Sequence, residues 1–252
     1  MSLKSDLAEL MLVPLWKLRA GVFGHSEGRR VLMYHAIGSP VPEDVQGRYN
    51  LSPHSFERQI ASLADSGALV VPVHEGREGV AITFDDGYRD NLTHALPVLE
   101  RHSFPFTIFV ASGFARSGNP LYLSAAEIKA LASHPLVSIG AHGDSHRRLT
   151  QLSDAALAAE LTGAKSWLEN ITGKTVTSLS YPHGAVDARV RAAVVVAGFA
   201  LACTSEFGTN EPGRDALALR RIDIWSTDGE EKFHAKLAGD WDWMRFFTRC
   251  GL

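Results

Sequence analysis

Cysteine is scarce in this chain. Cys203 and Cys250 are the only two in 252 residues. That is too few for a disulfide framework or a thiolate zinc site, and two free thiols are expected. Long apolar runs are missing as well: no stretch approaches the roughly 18 consecutive apolar residues of a membrane span. Neither sign of charge dominates, with 28 acids against 25 bases and a formal net charge of -3, so no nucleic-acid partner is expected. No GxGxxG or phosphate-loop glycine run occurs, which argues against a nucleotide-binding open sheet. Internal repeats, low-complexity tracts and long linkers are absent too.

Residues 1–29 are expected to form an N-terminal helical extension. Leu7, Leu10, Met11, Leu15 and Leu18 recur at helical spacing there, broken by Glu9, Lys17 and Arg19. The stretch lacks the basic start, uninterrupted apolar centre and cleavage site of a signal peptide. Cytoplasmic location is the expectation, with membrane-peripheral contact through this helix as the alternative.

Residues 30–252 are expected to form a single domain. Apolar runs alternate with helical patterns along it: Val31–His35, Leu69–Val73, Val80–Phe84, Phe106–Val110, Val137–Ala141, Leu179–Tyr181, Phe199–Cys203 and Leu217–Ile224 read as strands. Between them, Ser52-Pro53 opens a helix with an N-cap and a first-turn proline. Ser124 and Glu127 form a capping box. Ser153 caps a helix carrying Leu157, Leu161, Ala164 and Leu168 on one face, with Gly173 beyond its end. Such alternation implies parallel pairing with helices outside.

The chemistry lies at the strand ends. Thr83-Phe84-Asp85-Asp86-Gly87 closes one apolar run, and His142-Gly143-Asp144-Ser145-His146 follows another. Neighbouring strand residues face opposite ways, so Asp85 and Asp86 share a site only if Gly87 permits a turn. Close carboxylates raise one another's pKa unless a cation intervenes. A metal ion resolves this by taking one as ligand and leaving the other as base. Histidines four apart reach one ion from a helical turn or a tight loop. Acids, histidines and the Pro182-His183-Gly184 turn all end successive strands, as in a barrel whose strand ends share one mouth.

These motifs resemble those of the polysaccharide deacetylase family. Thr83–Gly87 matches its first motif, His142–His146 its second, with Gly143 where a hydroxyl residue is common, and Tyr181-Pro182-His183-Gly184 its third. The opening Leu32-Met33-Tyr34-His35 and Asn50-Leu51-Ser52-Pro53 are similar to the poly-N-acetylglucosamine deacetylase branch. The resemblance implies a distorted (β/α) barrel of about seven parallel strands. It implies Asp85 as general base, Asp86, His142 and His146 as ligands of Zn²⁺ or a similar divalent ion, and an acetylated amino sugar as substrate.

Two departures stand out. Many members carry a base-orienting arginine where this chain has Ser180; Arg221 is the candidate substitute, against a plain solvated strand edge. The late motif supplying a general acid is missing, and His35 is the candidate, with His183 next. Tyr181, Pro182 and His183 are expected to contact substrate, the Tyr181 N–H as an oxyanion donor. Two rival readings are an amidohydrolase of small cyclic or ureide amides and a catalytically silent carbohydrate-binding protein. A glycosidase is disfavoured, since adjacent acids rarely reach the roughly 5–9.5 Å separation it needs.

Overall fold

The computed structural model describes residues 27–42 and 44–246. The expected N-terminal helix and Cys250 lie outside them. In chain order the strands are β1 (Arg30–Tyr34), β2 (Ala36–Ile37), β3 (Asn50–Leu51), β4 (Val80–Phe84), β5 (Phe106–Val110), β6 (Val137–Ala141), β7 (Ser178–Ser180), β8 (Leu201–Phe207) and β9 (Leu219–Asp223). Seven of them close a parallel barrel in the order β1-β4-β5-β6-β7-β8-β9, sealed by β1 against β9. This is the distorted (β/α) barrel that the family resemblance implied. Strands covered on both faces need continuous apolar runs, and β1, β4 and β5 are buried throughout.

One expected strand is not part of the barrel. Leu69–Val73 makes a single bridge, Val70 with Val80. The reason is that β1 holds one side of β4 along its whole length and β5 holds the other from Ile82 to Phe84, which leaves only the start of β4, at Val80, for this segment to meet. Conversely, β2 and β3 form a small parallel pair beside the barrel. Their length of two residues each is below what apolar periodicity registers.

The helices follow their local signals. Ser52 caps Pro53–Asp65, the capping box opens Ala125–Ser133, and Asp154–Thr172 stops at left-handed Gly173. Pro97 sits in the first turn of Leu96–Arg101, just after a π-helical turn at Asn91–Ala95.

Alternation decides what fills the barrel. Val31, Ala81, Phe109, Leu201, Cys203 and Leu219 form its inner apolar cluster. A Cβ on Gly140 would meet the Phe109 ring at 2.4 Å, so the absence of a side chain there admits the phenyl ring. Above this plug, on the same alternating face, come Thr83 and Asp85 from β4 and Arg221 from β9. The apolar floor pushes the polar groups toward the C-terminal ends of the strands, and the site forms there.

Candidate metal centre at the barrel mouth

Asp85 and Asp86 come to one place through backbone conformation. The Asp85 N–H donates to the Tyr34 carbonyl at 2.9 Å, continuing the ladder, whereas Asp86 adopts a left-handed φ of 70° and Gly87 one of 79°. The reversal turns the second carboxylate to the side of the first. Four non-glycine residues among those described have left-handed φ, and three of them are Asp86, His146 and His183. Such conformations cost of order 1–3 kcal/mol each and persist only where the surroundings impose them.

The two histidines reach the same spot from the loop after β6. His142, buried, receives its position from two bonds: its N–H donates to the Val110 carbonyl, and Nδ1 lies 2.8 Å from the Ser180 carbonyl. That contact leaves Nε2 facing Asp86 Oδ1 at 3.4 Å, and His146 Nε2 faces the same oxygen at 3.3 Å. The ligand atoms of Asp86, His142 and His146 all lie within 4.8 Å of one another. Donors around a tetrahedral ion at about 2.0–2.1 Å stand roughly 3.3 Å apart, so the spacing fits a divalent ion. Asp86 Oδ1 is buried and has no hydrogen-bond partner, a second sign that a cation belongs there.

Electrostatics separate the two acids. Burial alone would raise the pKa of Asp85, but the charge of Arg221, that of His142 and the Arg221 hydrogen bonds outweigh it and hold the carboxyl far below its usual range. Burial would raise Asp86 as well, but its closeness to His142 and the positive charge of the surrounding imidazoles lower it. His146 is pushed down to about 4 by burial and by His142. Burial would lower His142 too, but the charges of Asp85 and Asp86 raise it, as two carboxylates do to an imidazole between them.

Arg221 lies inside the barrel, beneath the mouth. Nη1 and Nη2 donate to Asp85 Oδ1 and Oδ2, both at 2.8 Å. Nε donates to the Thr204 carbonyl at 2.8 Å and Nη2 also to Ser180 Oγ at 2.9 Å. Ser180 Oγ in turn donates to Asp85 Oδ2 at 3.1 Å. The small residue at 180 therefore leaves the space that the β9 guanidinium fills, and the hydrogen-bonding reach expected of Arg221 is found.

A cavity of about 440 Å³ covers this centre, lined by His35, Asp85, Asp86, His142, His146 and His183 among others. His35 follows β1, its carbonyl held by Asn91 Nδ2 at 2.9 Å from the start of the π-helical turn, and its ring lies 4.3 Å from that of Tyr49. His183 Nε2 lies 3.0 Å from the His146 carbonyl. Tyr88, Phe114 and Tyr122 stack along the wall, with centroids 5.1 and 4.6 Å apart. Another cavity, about 480 Å³, opens around Arg29, His74 and Asn210, but among the described residues no candidate metal cluster lies there.

Two expectations are corrected. The Tyr181 N–H donates to the Cys203 carbonyl at 3.0 Å as part of the β7–β8 pairing, and its hydroxyl donates to the Leu217 carbonyl, so this N–H is not free for an oxyanion. Neither Tyr181 nor Pro182 lines the cavity. Pro182 instead underlies the histidine loop, within 3.3 Å of where a Gly143 Cβ would stand.

The sequence reading missed Glu160. Buried on the Asp154–Thr172 helix, its Oε1 accepts the N–H groups of Asp144 at 2.8 Å and Ser145 at 2.5 Å, and Oε2 accepts Ser145 Oγ at 3.0 Å. From the other side, Gly113 N–H donates to the Asp144 carbonyl at 2.7 Å, and Arg116 and Ser112 hold the Asp144 carboxylate. The loop carrying both histidines is thus gripped from two elements. A signal was present in the sequence: Glu160 is an acid on the apolar face of its helix, and a buried acid needs donors.

Comparison with known proteins agrees with this constellation. The profile of the polysaccharide deacetylase family matches residues 73–202, just over half of the chain. The chain belongs to the polysaccharide deacetylase family. It is 27% identical over 205 residues to YxkH of Bacillus subtilis, covering 77% of this chain and 70% of that one. Its fold is shared with the Streptococcus pyogenes deacetylase PplD (TM-score 0.74, 22% identity, 83% and 98% of the two chains). It is shared also with IcaB of Ammonifex degensii (TM-score 0.71, 24% identity, 88% and 98%). Polysaccharide deacetylases are hydrolases that remove acetyl groups from acetylated sugars. No described helix is long and apolar enough to cross a membrane.

Proposed function

We propose that this chain is a metal-dependent hydrolase that removes N-acetyl groups from an amino-sugar polymer or oligosaccharide. The observation that carries the reading is the Asp86, His142 and His146 cluster beside a second carboxylate, Asp85, gripped by Arg221. A bound divalent ion, zinc or a similar one, supplies a Lewis acid that polarises the acetyl carbonyl and acidifies the attacking water.

Asp85 takes the proton from that water. Its low pKa keeps it ionised across the physiological range, so it is a base that is always available and a weak one. Arg221 holds the carboxylate in a single orientation through two parallel hydrogen bonds. His35, at the same cavity with a buried Nδ1 that has no partner, donates a proton to the leaving amine. The stacked wall of Tyr88, Phe114 and Tyr122 offers apolar faces for sugar rings. Acetate and a free amino sugar leave the site.

The test is acetate release from a panel of N-acetylated oligosaccharides, with and without chelator. Release that stops on chelation and returns with added Zn²⁺ is the expected result. Chelator-resistant release would overturn the metal's part in the reading, and no release from any member would overturn the activity.

A further inference from the structure

The charges that line the cavity leave two arginines unspent. Of the three carboxylates there, Asp85 is bound by Arg221, and Asp86 faces two imidazoles. Asp44 is consumed by its own loop: Oδ1 accepts the Gln46 N–H at 3.1 Å and Oδ2 the Tyr49 N–H at 2.6 Å. Arg48 and Arg148 line the same space. Neither guanidinium has a hydrogen bond or ion pair among the described residues. Arg148 follows the candidate ligand His146 by two positions and shares the cavity with it. Arg48 comes from the separate loop before β3 and is steadied by the Trp225 ring, 4.9 Å from its guanidinium carbon. That ring is itself held by a 2.6 Å bond from Nε1 to Asp223 Oδ2.

Resting on the deacetylase reading, we infer that the substrate is an acetylated amino sugar bearing an anionic group, phosphate or carboxylate, held by Arg48 and Arg148. Planar guanidinium groups match both anions bidentately. The product strengthens the case. Hydrolysis turns a neutral amide into an ammonium group, which two uncompensated arginines would repel from the mouth. An anionic substituent offsets guanidinium charge, one unit for a carboxylate and up to about two for a phosphate monoester, and lets a charged product remain compatible with the same subsite.

The experiment compares kcat/KM for acetate release from tetra-N-acetylchitotetraose, its 1-phosphate and its aldonic acid, in the Zn²⁺-loaded enzyme. Calorimetric binding of N-acetylglucosamine 1-phosphate against N-acetylglucosamine runs alongside. At low salt one or both anionic tetrasaccharides should be preferred by about tenfold, the worth of one good charge-assisted contact, and high salt should shrink the margin. The two anionic arms distinguish phosphate from carboxylate. Arg48→Met and Arg148→Met should each collapse the preference, while Arg→Lys retains part of it. Equal or better turnover of the neutral sugar, or a preference that survives both Arg→Met changes, overturns the inference and leaves the deacetylase reading standing. Should none of the three release acetate, that reading falls instead, and calorimetry decides the subsite alone. Phosphosugar binding lost in both variants supports it, and no phosphosugar binding overturns it.

Discussion

Asp85 is drawn two ways: burial favours its neutral form, and Arg221 favours the charged one. The charge wins because the guanidinium meets both oxygens at 2.8 Å inside the barrel, where neither group is exposed. If Asp85 is the base, Asp85→Asn keeps the metal ligands and lowers kcat by about 10²–10⁴, the usual contribution of a general base. Metal content by atomic emission together with steady-state rates checks both halves, and near-normal turnover would remove the role. His35→Ala should lower kcat by a similar factor of about 10²–10⁴ with metal content unchanged. An unaltered rate would pass the acid role to His183. Arg221 was legible in the sequence only as a candidate, because nothing in Leu219-Arg220-Arg221-Ile222 says which arginine faces inward. The barrel's alternation decides it: Arg221 is buried, and Arg220 pairs with Glu206 at 3.3 Å toward the surface.

Elements carry the next layer of the site. The loop after β6 has no regular structure of its own across both histidines, and His146 holds a left-handed φ. Its shape is imposed by Glu160 from one helix and by Gly113, Ser112 and Arg116 from another. Gly143 is part of this fit, since a Cβ there would stand 3.0 Å from Glu160 Oε1. Glu160→Ala should raise the apparent metal dissociation constant by about 10–100-fold, the range for groups that orient ligands from behind. Glu160→Gln should recover part of the loss, because its amide oxygen still accepts. Competition with a chromophoric chelator measures this directly, and an unchanged constant with only a lower melting temperature would make Glu160 merely structural. The helix pattern placed Glu160 on the buried face, but only the fold brings the loop amides to it. The π-helical turn at Asn91–Ala95 is a similar case: no sequence periodicity marks it, yet it sets Asn91 against the His35 carbonyl.

For the whole molecule, the buried Asp85–Arg221 pair links the site to stability. Removing one partner of such a pair costs about 3–5 kcal/mol, so Arg221→Met should lower the melting temperature markedly. The pH dependence carries a sign. Asp85 has a folded pKa below its unfolded value, so its contribution is complete above about pH 4 and is lost as the pH falls further. Without Arg221, burial raises that pKa, and stability of the metal-free variant should instead decline as pH rises above about 4. Melting curves across pH 4–8 separate the two slopes, and parallel curves would refute the pairing argument. Metal removal should leave the barrel folded, because its core is the apolar plug and the helix–strand layer. A loss of about 2.7 kcal/mol is expected relative to ion at a hundredfold excess over its dissociation constant, seen as a shift of several degrees by circular dichroism.

What the sequence determined by itself was the local order. Apolar runs, caps and the Asp-Asp-Gly and His-x-x-x-His clusters are written in neighbouring residues, so the barrel and the residue types of its candidate metal site followed from them. What only the tertiary structure decided were the partnerships across the chain. Arg221 meets Asp85 across a sequence separation of 136, Glu160 supports a loop from another element, and the Tyr181 N–H is spent on the β7–β8 ladder. Side-chain direction inside a closed barrel depends on strand register, and register is settled by all seven strands together rather than by any one of them.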